Sequence, residues 1–123
     1  MQSLNLKNIN IKLLSEKKLD SDLLKKIILI KKQYWKYSYD SHLKWHSLNI
    51  KKNHKHFLVL NNSKLIFYLL CRSINCEVNT EKLKLNSIDF VCIDKNFKGK
   101  KLSSNFMEIF FNQFKKDIFI LTC

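Results

Sequence analysis

Residues Ile88 to Phe114 read IDFVCIDKNFKGKKLSSNFMEIFFNQF, and the fold is decided here. Ile88 to Ile93, I-D-F-V-C-I, has the apolar run of a strand. Lys95 to Lys101 follows as a basic loop that holds the only glycine of the chain, Gly99. From Leu102 onward, Phe106, Met107, Phe110 and Phe114 return at helical spacing, with Ser103 or Ser104 in the first turn. A strand that feeds a helix through a basic loop makes a phosphate cradle. The first amides of a helix lack an intrahelical acceptor and carry partial positive charge, and Lys98, Lys100 and Lys101 add to it.

Upstream, Ile9 to Leu14 alternates as I-N-I-K-L-L, the period of a half-buried strand. Asp20 or Ser21 can cap a helix that carries Leu23, Leu24, Ile27, Ile28, Leu29 and Ile30 and is apolar enough to pack on a sheet. Residues 34–49 are rich in aromatics. After a turn near Tyr39-Asp40-Ser41 they predict a second helix with Leu43, Trp45, His46 and Leu48. Phe57 to Leu60 and Leu65 to Leu70 flank Asn61-Asn62-Ser63-Lys64, a hairpin signal. Ser73 to Asn86 reads as a polar connecting stretch, and Asp117 to Cys123, DIFILTC, as a last strand. The predicted order is β-α-α-β-β-β-α-β in an α/β (α+β) domain: a mixed, mostly antiparallel sheet flanked by helices.

At 123 residues and 46% hydrophobic content, with no linker, repeat or low-complexity tract, residues 1–123 form one domain with one core. No run of eighteen apolar residues and no secretory leader is present, so a soluble, cytoplasmic protein is expected. Cys71, Cys76, Cys92 and Cys123 form no C-x-x-C pair and read as free, mostly buried thiols. His42 and His46 share a helix face without the glutamate of a zinc-peptidase helix, and no metal is expected. The formal charge of +13 favours anionic partners. Yet the lysines run from Lys7 to Lys116 among many Asn, Ile, Leu and Phe, a spread that AT-rich codon bias would also produce. A basic RNA- or DNA-binding module, with Tyr34, Trp35, Tyr37 and Tyr39 as stacking residues, is the alternative reading.

The segment 91–107, VCIDKNFKGKKLSSNFM, resembles the acetyl-CoA motif of the GNAT N-acetyltransferases, a strand followed by R/Q-x-x-G-x-G/A and a helix. Lys98 stands at the Arg/Gln position, Lys101 at the first diagnostic glycine and Ser103 at the second small residue. Leu43-Lys44-Trp45 and Leu65-Ile66-Phe67-Tyr68-Leu69 are similar to a Leu-x-Trp helix and an L-I-G-Y-L strand of one bacterial branch, so the resemblance covers about Ile9 to Cys123. It implies transfer of acetyl from acetyl-CoA to an amine by direct attack. Val91, Cys92, Ile93, Lys98, Gly99, Lys100, Lys101, Leu102, Ser103 and Ser104 would hold the cofactor, and the amides of Cys92 and Ile93 would hold the pantetheine and polarise the thioester. Asp89 and Glu77 are the candidate general bases.

Two residues depart from the pattern. Lys101 replaces a glycine, at about 1 to 2 kcal/mol if its φ is positive. Phe67 replaces another. The family's next helix, with a tyrosine that protonates the thiolate, and its last two strands have no counterpart after Cys123, so the chain reads as a fragment or an inactive copy. The terminal strand would then offer an edge to a second copy or a completing partner. The positive surface favours an anionic amine acceptor such as a nucleotide-linked amino sugar.

Overall fold

The computed structural model describes residues 8–99, 101–113 and the backbone of 118–121. Its elements follow the predicted order: β1 (Ile9–Ser15), α1 (Ser21–Lys31), α2 (Tyr39–Asn49), β2 (Lys55–Asn61), β3 (Lys64–Val78), β4 (Glu81–Ile93), α3 (Leu102–Asn112) and β5 (Ile118–Leu121). The sheet runs β1-β2-β3-β4-β5. Its first four strands are antiparallel, and β5 lies parallel to β4. Phe114, Lys100 and Cys123 fall outside the described residues.

β2 and the first half of β3 are buried along nearly their whole length because helices cover both faces of the sheet. Alternate side chains therefore enter two cores, one on each face of the sheet, where a single core was expected. Phe57, Val59, Phe67 and Leu69 pack under Phe106 and Phe110 of α3. Leu58, Leu60, Tyr68 and Leu70 pack on the opposite face under Leu23, Ile27 and Ile30 of α1. Phe67, expected as a departure from a glycine, is fully buried between Phe57 and Phe106, with ring centroids at 6.1 and 5.4 Å. A large side chain fits because it fills the α3 layer.

Asp20 caps α1, its carboxylate accepting from the Leu23 amide at 2.7 Å. α2 is capped by Ser38, and its inward face carries histidines and Trp45 in place of leucines. His42 and His46 are buried, whereas Leu48 is 74% exposed and Leu43 lies outward. The wall under α2 is polar, so histidines fit it better than leucines do.

Residues 73–86 differ from a polar connection. They continue β3 and β4 as a long two-stranded arm that turns at Asn79 and Thr80, both with positive φ, the conformation of a type I′ hairpin. Both faces of the arm's tip meet solvent, and Ile74, Cys76 and Val78, which alternate with Asn75 and Glu77, face no core there. Asn62 and Ser63 make the same turn in the predicted hairpin.

Phe110 is fully buried against Phe57 at 5.3 Å. Phe110→Ala should cost about 3 to 5 kcal/mol in urea unfolding, while Leu48→Ala should stay within about 0.5 kcal/mol of the parent. Similar losses at both positions would contradict the core assignment.

Candidate active site

β4 departs from regular pairing at one point. Tyr68 faces Cys92 and Leu70 faces Asp89, so two steps along β3 are matched by three along β4. The extra residue is a β-bulge, and Phe90 within it has φ 55. β4 pairs with β5 only through Leu85–Ile88, and among the described residues that ladder ends at Ile88 opposite Leu121. Strand 89–93 thus leaves the bulge with its outer edge unpaired in the described ladder and leads into the loop that begins α3.

The direction of the backbone groups follows from alternation. Asp94 donates its amide to the Ile66 carbonyl at 2.7 Å, so Cys92, two residues back, also turns its amide into β3. The expected use of the Cys92 amide for pantetheine is corrected on this ground, since β3 consumes it. Ile93 faces the outer edge, where its carbonyl accepts from the Tyr34 hydroxyl at 2.6 Å. The Cys92 side chain is buried on the α1 face, and burial pushes its thiol up to about 12. Val91 is exposed beside the bulge.

The loop is fastened from the α1 side. Gln33 donates to Asp94 at 3.0 Å and accepts from the Lys95 amide at 2.8 Å. Asp94 also accepts from the Asn96 amide at 2.9 Å and pairs with Lys64 at 3.5 Å. Burial alone would raise its pKa, but these donors outweigh it and hold the carboxyl below its ordinary value. Lys95 and Lys98 lie 5.6 and 5.3 Å from the Tyr34 ring. Gly99 has φ 84 and Lys101 φ 58. A Cβ on Gly99 would meet nothing within 4 Å, so its glycine answers to the backbone angle and not to space. Lys101 opens α3 without a side-chain cap, followed by half-buried Leu102 and Ser103 and exposed Ser104. Cations, flexible backbone and free first-turn amides therefore meet at the end of the open strand.

Neither candidate base is suited to that role. Asp89 is buried, and its carboxylate accepts from the Arg72 guanidinium and lies 3.4 Å from the Ser87 hydroxyl. Glu77 is exposed opposite Lys82, near the tip of the arm and roughly 23 Å along the strand from Leu70 at 3.3 Å per residue.

Beside the bulge, on the α1 and α2 side, a cavity of about 340 Å3 is lined by Lys31, Trp35, Tyr37, Ser41, His42, Trp45 and Phe90. Phe90 meets the edges of Trp35 and Trp45 at 5.2 and 4.9 Å. Trp35 is thus committed to this wall and Tyr34 to the Ile93 carbonyl, which takes both away from the stacking surface of the nucleic-acid reading. Lys31 is 3% exposed, with its ammonium 3.9 Å from the Phe90 ring centroid and 4.9 Å from that of Trp45. Burial lowers its pKa from 10.5 to about 8, despite a smaller opposing effect of Cys92.

A second polar group lies beneath α2. Glu16 accepts from His46 at 2.9 Å and lies 3.3 Å from His56, whose Nδ1 is 2.6 Å from the Tyr68 hydroxyl. The ligand atoms of Glu16, His46 and His56 lie within 4.8 Å of one another, a two-histidine, one-carboxylate set that can hold a metal. Burial, then the nearby His46 and Lys31, lowers the His56 pKa to about 3. Sequence spacing shows only His42 and His46. The trio is assembled from the turn after β1, from α2 and from β2, and no local pattern marks it.

Neither the family models nor the curated proteins contain a match to this chain. Solved structures do. A predicted acetyltransferase from Clostridium acetobutylicum, solved with acetyl-CoA, superposes with a TM-score of 0.68 at 12% identity, over 94% of this chain and 80% of that one. An aminoglycoside acetyltransferase from an uncultured soil metagenomic sample, in complex with sisomicin, gives 0.67 at 18% identity over 95% and 78%. Escherichia coli ElaA gives 0.61 at 14% over 85% and 68%. The chain has the GNAT acetyltransferase fold. Among the described residues no helix is long and apolar enough to cross a membrane.

Two measurements test this geometry. Lys101→Gly should raise stability by about 1 kcal/mol in urea, because it relieves a left-handed lysine; a loss would contradict the φ of 58. The folded pKa of Lys31 lies below its unfolded value, so below pH 8 the cost of its buried charge is fully present. Between about 8 and 10.5 only the unfolded chain keeps the extra proton, and stability rises with pH. Lys31→Met should therefore be more stable than the parent at pH 7 by on the order of 3 kcal/mol. The gap should close as pH approaches 10.5; a pH-independent difference would refute the assignment.

Proposed function

We propose that the chain is a cytoplasmic N-acetyltransferase that uses acetyl-CoA as acyl donor and transfers the acetyl group to an amine by direct attack. The observation that carries this is the bulged strand 89–93, whose outer edge leads from the cavity at Phe90 to the phosphate-suited start of α3. The pyrophosphate would meet Lys98, the amides of Leu102, Ser103 and Ser104, and the flexible backbone at Gly99. The pantetheine would run along the edge, and the outward amides of Val91 and Ile93 would hydrogen-bond it and polarise the thioester carbonyl. The acetyl group would then arrive beside Phe90, at the mouth of the aromatic cavity that receives the amine.

Held next to the thioester, the amine needs no covalent intermediate on the protein, and proximity supplies much of the acceleration. It must be neutral to attack. No carboxylate lines the cavity among the described residues, and the desolvation that brings Lys31 to about 8 also lowers the pKa of an ammonium bound beside it. Burial and access to water replace a carboxylate base in this scheme.

Titration calorimetry with acetyl-CoA tests the reading. The parent should bind saturably. Gly99→Trp, which forces a bulky residue to φ 84 in the loop, should bind at least about tenfold more weakly, equivalent to ~1.4 kcal/mol. Absent binding by a folded parent would sink the proposal. Binding that tracks salt steeply and ignores acetyl-CoA would instead favour nucleic acid.

A further inference from the structure

Lys31 is a lysine only 3% exposed as a residue, and among the described residues no carboxylate pairs with it. Buried charges are otherwise paired, and an unpaired one is costly. Its companions are the faces of Phe90 and Trp45, and the open volume before it is the 340 Å3 cavity. The nearby acids are engaged elsewhere, Glu16 with His46 and Asp94 with Gln33, Asn96 and Lys64. The cavity therefore presents one desolvated cation in a pocket walled mainly by aromatic rings.

We infer that this cavity binds a small amine bearing a carboxylate on a compact apolar or aromatic body, with the carboxylate seated on Lys31. The inference rests on the acetyltransferase reading for the role of the amine, and it names the acceptor of that site. Trp35, Trp45 and Phe90 enclose the apolar body, and Ser41 and His42 supply most of the other polar side chains of the lining. His42 is already spent on the Trp35 carbonyl at 2.9 Å. Little is left to match the hydroxyl groups of a sugar, so the amino-sugar acceptor expected from net charge gives way to an amino carboxylate. The carboxylate supplies the counter-charge that the protein withholds. Its hold on Lys31 would fix the direction in which the amine points toward the bulge.

The probes are L-phenylalanine and its decarboxylated analogue phenethylamine, titrated into the full chain with and without coenzyme A. The parent should bind L-phenylalanine at least tenfold more tightly than phenethylamine, and Lys31→Met should abolish that preference, with an unchanged circular dichroism spectrum showing that the variant is folded. Equal or tighter binding of phenethylamine, no binding of either probe, or a preference that survives in Lys31→Met would overturn the inference. Because these are binding measurements, they remain distinct from the acetyl-CoA titration. A carboxylate preference without acetyl-CoA binding would leave the Lys31 site standing and remove only its assignment as an acceptor site.

Discussion

The bulge at Phe90 is the constraint on which the rest of the molecule turns. A bulky aromatic at φ 55 is a strained placement, on the order of 1 to 3 kcal/mol, and persists only where its surroundings over-determine it. Here they do. Trp35 and Trp45 meet the ring at near-perpendicular angles of 80° and 78°, and the Lys31 ammonium lies over its face. Aromatic pairs of this kind and a desolvated cation over a ring each contribute around 1 kcal/mol beyond burial, enough together to offset the strain. The return is geometric. One extra residue re-aims β4 just past the last described pair of its ladder with β5, and that edge of the strand, a cavity and a cation come to share one place.

This also explains why α1 and α2 take the form they do. Lys31 sits in the last turn of α1, Trp35 just beyond it, and Trp45 on α2, so three segments close on one side chain of β4. Gln33, between Lys31 and Trp35, reaches Asp94 and the Lys95 amide. The end of α1 thereby couples the wall of the cavity to the loop before α3. The Gln33 side chain thus links the segment after α1 to the loop before α3 by two hydrogen bonds.

Much of the fold was legible because local rules act alone in those segments. Asp20 announces α1 by its capping chemistry, Asn62-Ser63 announces a hairpin by tolerance of positive φ, and Phe106 and Phe110 announce the buried face of α3. The long arm at 73–86 does carry a period-two pattern, with Ile74 and Cys76 opposite Leu85 and Leu83, but its many polar and charged residues and uncovered tip make it read as a polar connection. The bulge was hidden because Phe90 carries no glycine flag; long-range aromatic contacts, not intrinsic preference, hold its backbone angle. Nothing in its sequence neighbourhood sets Lys31 apart from the other lysines around α1, and only the tertiary structure reveals that it is buried. Asp89 lies in the strand and Glu77 in the stretch before it, yet one is held by Arg72 and the other rides the far end of the arm.

The excess of positive charge reads differently once these positions are known. Most of the lysines lie on the surface, where screening over about 8 Å at physiological ionic strength blunts their effect on any one site. Lys95 and Lys98, placed around Tyr34 at the loop before α3, stand where the proposed cofactor would bring its pyrophosphate. Lys31 is buried against an aromatic wall, where screening is weaker, so its single charge can weigh more on a ligand in the cavity than a surface lysine does. Composition reports the sum of these charges, but chemistry depends on which of them are desolvated. Lys31 is the desolvated one: burial lowers its pKa to about 8, and among the described residues no carboxylate pairs with it.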